Sequence, residues 1–307
     1  VHEEHLVSAL NVHGKGHVGT LDPRQPPEVL VLAEGQVAAR GGQTANYEHS
    51  FLEGFAQGCP ACRVEFGPQA AGGPNCGIAE GMAKIAETLE TDLVLFLEND
   101  CPTVEPSAGV VSQLDRARRL FASDQLDILR LRHRWKVGDA FQLRKYFAFF
   151  LPQSIHPNFT EQAQLKHVPS LPVAALRRLF RPAKARNLSG RALYIEESPE
   201  TVQRGRIRRL EGEDELFLTD SRFLNWTNQS ILTTRSFFLD TIMPYVRAHP
   251  SKRTSNGFQS PERPLNCMWW RQQQFRIGVG DGLFTHRRLD GSWRPKHQAY
   301  EPETTPS

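Results

Sequence analysis

The first group of residues able to do chemistry is Glu98-Asn99-Asp100, two carboxylates separated by one residue at the end of an apolar run. If the extended backbone of that run persists through them, their side chains share a face. Carboxylates so placed repel each other unless a proton or a cation sits between them. Hard oxygen donors of this kind suit Mg2+ or Mn2+, with coordination completed by substrate phosphates. The same residues also read as a solvated acidic turn that ends a strand. His286 follows Gly282-Leu283-Phe284-Thr285. A neutral imidazole is a metal ligand, and Mn2+ accepts mixed nitrogen and oxygen donors better than Mg2+ does; a lone histidine is also commonly structural. Arg287 and Arg288 match a diphosphate in charge and geometry, or form a surface basic pair. Trp226 offers an apolar ring on which a sugar can stack, and equally serves as a core residue.

These residues need elements to hold them. Ile78, Met82, Ile85 and Leu89 fall on one face of an amphipathic helix within Gly77 to Thr91. Leu93 to Leu97 follows as an uninterrupted apolar strand, and a helix leading into such a strand is half of a βαβ unit. Open α/β sheets place ligand sites at the carboxyl ends of their strands, where Glu98 to Asp100 would then lie. Val29 to Ala33 predicts another buried parallel strand, ended by Glu34-Gly35. Helices are predicted at 47–56, 114–121, 235–246 (weakened by Pro244) and 261–274. Short strands are predicted at 62–66, 127–131, 216–218, 223–224 and 275–279. Gly280-Asp281-Gly282 predicts a turn and 283–286 a short extended piece. Glu262 stands in the first turn of the helix at 261–274, where the dipole favours an acid without any catalytic duty. Residues 138–215 read as a variable insertion, and the tail 291–307 as polar and loose.

Composition narrows the class. The chain has 307 residues, 39% hydrophobic and 23% charged, with a net charge of +3. Those values describe a globular chain with a sizeable core and give no argument for nucleic acid as a partner. No run approaches a membrane span in length. A basic stretch, Arg177 to Arg209, stands out and reads first as a solvated face. The chain begins at Val1 rather than Met, which fits a processed or partial chain with a membrane anchor or signal upstream. Five cysteines leave an odd thiol, and Cys59-Pro60-Ala61-Cys62 lacks the second pair of ligands that zinc requires. Four N-x-[ST] sites, at Asn158, Asn187, Asn225 and Asn228, exceed chance and suggest a secretory lumen such as the Golgi, with the cytoplasm as alternative. Gly14-Lys15-Gly16-His17-Val18-Gly19 matches G-x-G-x-x-G in form only. Asp22-Pro23 and Pro26-Pro27 follow, and they forbid the helix that would cradle a pyrophosphate.

Asn75-x-Gly77 with its helix, then Leu93 to Asp100, resembles the segment of GT-A glycosyltransferases (of the family 2 kind) that leads into their DxD-type motif. Asn225-Trp226-Thr227-Asn228-Gln229 with Arg235-x-Phe237-Phe238 resembles the acceptor-side strand and helix. Gly257-Phe258, Pro261-Glu262 through Trp270, and Gly282 to His286 resemble the closing portion. The resemblance spans roughly Glu28 to Asp290. It implies one GT-A (Rossmann-like) α/β domain over 28–290, with a mostly parallel central sheet flanked by helices, after an N-terminal extension, 1–27. It implies a nucleotide-sugar donor, a glycan or other hydroxyl acceptor, Mn2+ or Mg2+ at Asp100 and His286, and Glu262 as base. Glu98, Asn99, Arg287, Arg288 and Trp226 would line the donor and sugar site. The chain departs from the family by carrying E-N-D in place of D-x-D, and by lacking a match to the first strand and helix before Val29. A nucleotidyltransferase, or a non-catalytic carbohydrate-binding protein of the same fold, are the alternatives.

Overall fold

A computed structural model gives the backbone of residues 4–12, 29–37 and 62–66, and describes 77–286 apart from 90, 99–100, 102, 137, 139–142, 152, 156–169, 214 and 252–259, with no side-chain description at 98, 107, 143 and 144. The predicted helix at 47–56, the tail and four of the predicted site residues (Asn99, Asp100, Arg287 and Arg288) lie outside the described residues.

The strands are β1 Glu4–Val12, β2 Val29–Val37, β3 Cys62–Phe66, β4 Leu93–Glu98, β5 Ile128–Arg132, β6 Arg208–Arg209, β7 Phe217–Asp220, β8 Ile231–Thr234 and β9 Arg276–Phe284. They form one nine-stranded sheet in the order β3-β1-β2-β4-β8-β5-β9-β7-β6. The helices are α1 Gly77–Thr88, α2 Ser107–Ala122, α3 Leu143–Phe147, α4 Leu171–Phe180, α5 Pro182–Ser189, α6 Pro199–Val202, α7 Met243–Ala248, α8 Glu262–Leu265 and α9 Met268–Gln273. A 3-10 turn, Gly190–Tyr194, follows α5, and a π-helical segment, Phe237–Ile242, runs into α7.

The fold is α/β with a single mixed sheet, and the expectation of a mostly parallel sheet is corrected. Only β2–β4 and β5–β9 pair in parallel, and the other neighbours are antiparallel. The reason lies in the segment 221–230. It starts beside Phe275 at the foot of β9, through Ser221 N–H donating to Phe275 O, and ends beside Leu131 at the head of β5. A chain delivered to the carboxyl edge can only re-enter downwards, so β8 inserts antiparallel between β4 and β5. An apolar run reports burial and not direction, so the sequence could not show this. β4–α2–β5 remains a crossover between strands of one sense, with β8 between them.

Alternation along the strands divides the core in two. Val94, Phe96, Ile128, Ile231, Ile277 and Val279 face one side with α1, the π-helical segment and α7. Leu93, Leu95, Leu97, Leu129, Leu131 and Leu283 face the other, under α2. β4 is buried on both faces, which explains its unbroken apolar sequence.

Further expectations change. Residues 223–224 form a turn, not a strand, and 138–215 contains helical segments whose Leu188, Ala192 and Leu193 join the main core, as does Ile195 just after them. The single helix expected over 261–274 is broken into α8 and α9 at Asn266–Cys267, where Asn266 Nδ2 donates to Trp226 O at 3.1 Å. Gly280-Asp281-Gly282 lies inside β9 rather than in a turn. Gly282 has φ of +84°, and a Cβ there would meet Arg132 O at 2.3 Å, so only glycine lets β9 pass the end of β5. The weakening expected at Pro244 takes the form of the π-helical segment just before it, since proline supplies no N–H to the preceding turn. β1 lies within the stretch read as an N-terminal extension and pairs with β2 and β3.

Candidate functional site

β2, β4, β5 and β9 share one direction, so their carboxyl ends form one edge of the sheet. The chain after β4 is tied to β9 there. Thr103 pairs with Phe284 in an antiparallel bridge, Val104 N–H donates to Leu283 O at 2.8 Å, and Thr103 Oγ1 donates to the same oxygen at 3.2 Å. His133 N–H donates to Phe284 O at 2.7 Å, and Gly138 bridges His286. His286 is thus buried at 3% exposure, where the segments following β4 and β5 meet the end of β9. Glu98 is the last residue of β4, in register with Glu34 of β2. Ile231 pairs with both Phe96 and Arg130, so β8 begins between the outer ends of β4 and β5.

Glu262 is brought to the same edge by the segment that starts β8. Its Oε1 accepts from Thr227 Oγ1 at 3.1 Å and from Asn228 N–H at 3.0 Å. The carboxylate is therefore held by the segment that leads into β8. Trp226 sits elsewhere than a sugar platform requires. It is 3% exposed, its indole N–H donates to Asn228 Oδ1 at 2.9 Å, and its ring packs on Phe238 and edge-on to Trp270. Asn228, an N-x-[ST] site, is buried with both ends of its amide engaged, the second on Ser260 Oγ. Among the described residues no group of three acidic, histidine or cysteine side chains is arranged to hold a metal.

Two clusters at this edge were missed. His133, just after β5, has Nδ1 accepting from the backbone N–H groups of Trp135 and Lys136 at 3.0 and 3.1 Å. The proton of the neutral ring is thereby assigned to Nε2, which faces Glu105 Oε1 at 3.0 Å, with Lys136 Nζ 3.5 Å from the same oxygen. Burial dominates and pushes the imidazole below its usual range, against the pull of Glu105. The second cluster is cationic. Arg130 and Arg132 alternate onto one face of β5, and Arg191, on the 3-10 turn, experiences the charge of both. A run of apolar residues interrupted by arginine at every second position, Ile128 to Arg132, was the available signal. The pattern predicts a strand at 127–131, and the alternating arginines mark which of its faces is charged.

Comparison with protein-family models, curated proteins and solved structures finds no match.

Proposed function

We propose that this chain is a metal-dependent glycosyltransferase of the GT-A type, moving a sugar from a nucleotide-diphosphate donor to an acceptor hydroxyl with inversion. The observation that carries the reading is the Thr103–Phe284 pairing. It ties the segment that follows Glu98-Asn99-Asp100 to the strand that leads into His286. Asp100 is three residues from one side of that bridge and His286 two from the other, a reach of about 10 Å and 7 Å at full extension. Asp100 and His286, with Glu98 beside them, would hold Mn2+ or Mg2+, which supplies neutralisation of the leaving diphosphate when bound. Arg287 and Arg288 add positive charge for the same phosphates. Glu262 takes the proton of the acceptor hydroxyl. The hydrogen bonds from Thr227 and Asn228 engage Oε1 and fix the carboxylate plane, which leaves Oε2 for that hydroxyl. Placement in a secretory lumen is part of the same reading, and no helix among the described residues is long and apolar enough to cross a membrane.

The test is a thermal-shift panel of UDP, GDP and CMP with Mn2+. One nucleotide is expected to raise Tm only when the metal is present, and Asp100→Ala to fold yet lose that rise. Glu262→Gln should keep the rise and lose turnover about 10²- to 10⁴-fold. A flat panel for the wild-type chain rejects the reading, and turnover of a sugar 1-phosphate with a nucleoside triphosphate would replace it with nucleotidyl transfer.

A further inference from the structure

α4 presents its apolar side to solvent and its charged side to the protein. Val173, Leu176, Leu179 and Phe180 stand at 39%, 51%, 71% and 76% exposure, and of the ten residues of this helix Ala174 is the buried one. At 3.6 residues per turn the four exposed residues fall within an arc of about 120°, so they form one continuous stripe.

The arginines of α4 hold it from the other side. Arg178 donates through Nη1 to Phe149 O at 2.6 Å, and its guanidinium lies over the ring of Phe150, 5.8 Å from the centroid. Arg177 donates through Nη1 to Ala148 O at 3.1 Å. The carbonyl groups just after α3 thus fix the charged side of α4. A surface helix that faces only water shows the reverse arrangement, with its apolar stripe on the core. Single exposed apolar residues are ordinary, but a contiguous rimmed patch marks a contact surface.

Charge decides what covers it. Arg181, between α4 and α5, and Lys184 and Arg186 of α5 are exposed at the carboxyl end of the stripe. Residues 171–189 contain five Lys or Arg and no Asp or Glu. A second copy meeting this face through a two-fold axis would set these cations against their own counterparts, with no carboxylate from α4 or α5 to offset them. A surface that offers apolar depth and negative charge together satisfies both features.

We propose that α4 and α5 dock this chain on a bilayer containing anionic phospholipid. Val173, Leu176, Leu179 and Phe180 enter the boundary between headgroups and acyl chains, with α4 lying in the plane of the interface. Arg181, Lys184 and Arg186 stay at headgroup level, where their long side chains reach the lipid phosphates. Ten residues of helix span about 15 Å, so the contact is shallow and reversible. Its electrostatic part falls off within a Debye length and is therefore sensitive to salt. Nothing in this assignment uses Asp100, Glu262 or His286, so it stands or falls apart from the sugar-transfer reading.

Co-sedimentation with vesicles of phosphatidylcholine containing phosphatidylserine tests this. The wild-type chain should be retained, and at least about tenfold more weakly on phosphatidylcholine alone. Salt at about 1 M should weaken retention of the wild-type chain without any substitution. Leu179→Glu/Phe180→Glu removes the stripe and Arg181→Glu/Lys184→Glu removes the charge. Each is expected to release the chain from the mixed vesicles while keeping the wild-type Tm and circular dichroism, because these side chains are exposed. No retention of wild type overturns the proposal. So does equal retention on phosphatidylcholine alone, or retention that Leu179→Glu/Phe180→Glu leaves untouched. A wild-type dimer in solution that this variant dissociates gives the stripe to a second copy and overturns it as well.

Discussion

At the scale of single residues, His133 shows how position overrides type. Its ring lies beside a carboxylate, a setting that ordinarily favours the imidazolium. Here two backbone N–H groups occupy Nδ1 and burial dominates, so the neutral form is held. Glu105 supplies the opposing pull. Glu105→Gln is therefore expected to lower the His133 midpoint further below 6.5, followed by NMR titration of the ring. A midpoint unchanged or raised would show that Glu105 does not govern this ring. Trp226 teaches the same lesson from the other side. A ring able to stack on a sugar is at 3% exposure among Phe238 and Trp270, and its indole N–H already has a partner.

Among the elements, β9 carries the most consequence for the site. The Gly280-Asp281-Gly282 stretch, which reads as a turn, is extended strand with a bulge relative to β5. The bulge is clamped from α2. Gln113 Nε2 donates to Gly282 O and Gln113 Oε1 accepts from Gly282 N–H, both at 3.1 Å. Because β9 continues through the glycines instead of turning back, Phe284 reaches Thr103 and His286 reaches the carboxyl edge. Gly282→Ala meets a positive φ and the Arg132 carbonyl together and should cost about 2–4 kcal/mol. Gln113→Ala removes two hydrogen bonds and should cost about 1–3 kcal/mol. Chemical denaturation measures both; a neutral Gly282→Ala would mean that β9 need not pass so close to β5.

For the whole molecule, pH acts through Asp281. Burial first, and then a hydrogen bond with Glu215 in the turn before β7, raise its carboxyl to about 6. An unfolded aspartate titrates near 3.9. The folded chain holds this proton more tightly, so this contribution to stability falls as pH rises from about 4 to about 6. Asp281→Asn, which keeps the neutral shape, should match wild type below that window and exceed it at pH 7. The gain is on the order of 1 kcal/mol after allowance for solvent screening. Denaturation curves at both pH values check it, and a gain independent of pH would reject this cause.

Local pattern was enough to locate the elements around the Glu98 to Asp100 motif. The amphipathic face of α1, the fully apolar β4 and the alternating β5 are each properties of a few consecutive residues, and burial leaves its mark at that range. Strand direction, the insertion of β8, the passage of β9 through its glycines and the convergence of Arg130, Arg132 and Arg191 depend on where distant segments are delivered. Those outcomes were settled by packing, because a residue's type encodes how much surface it hides and not which partner hides it.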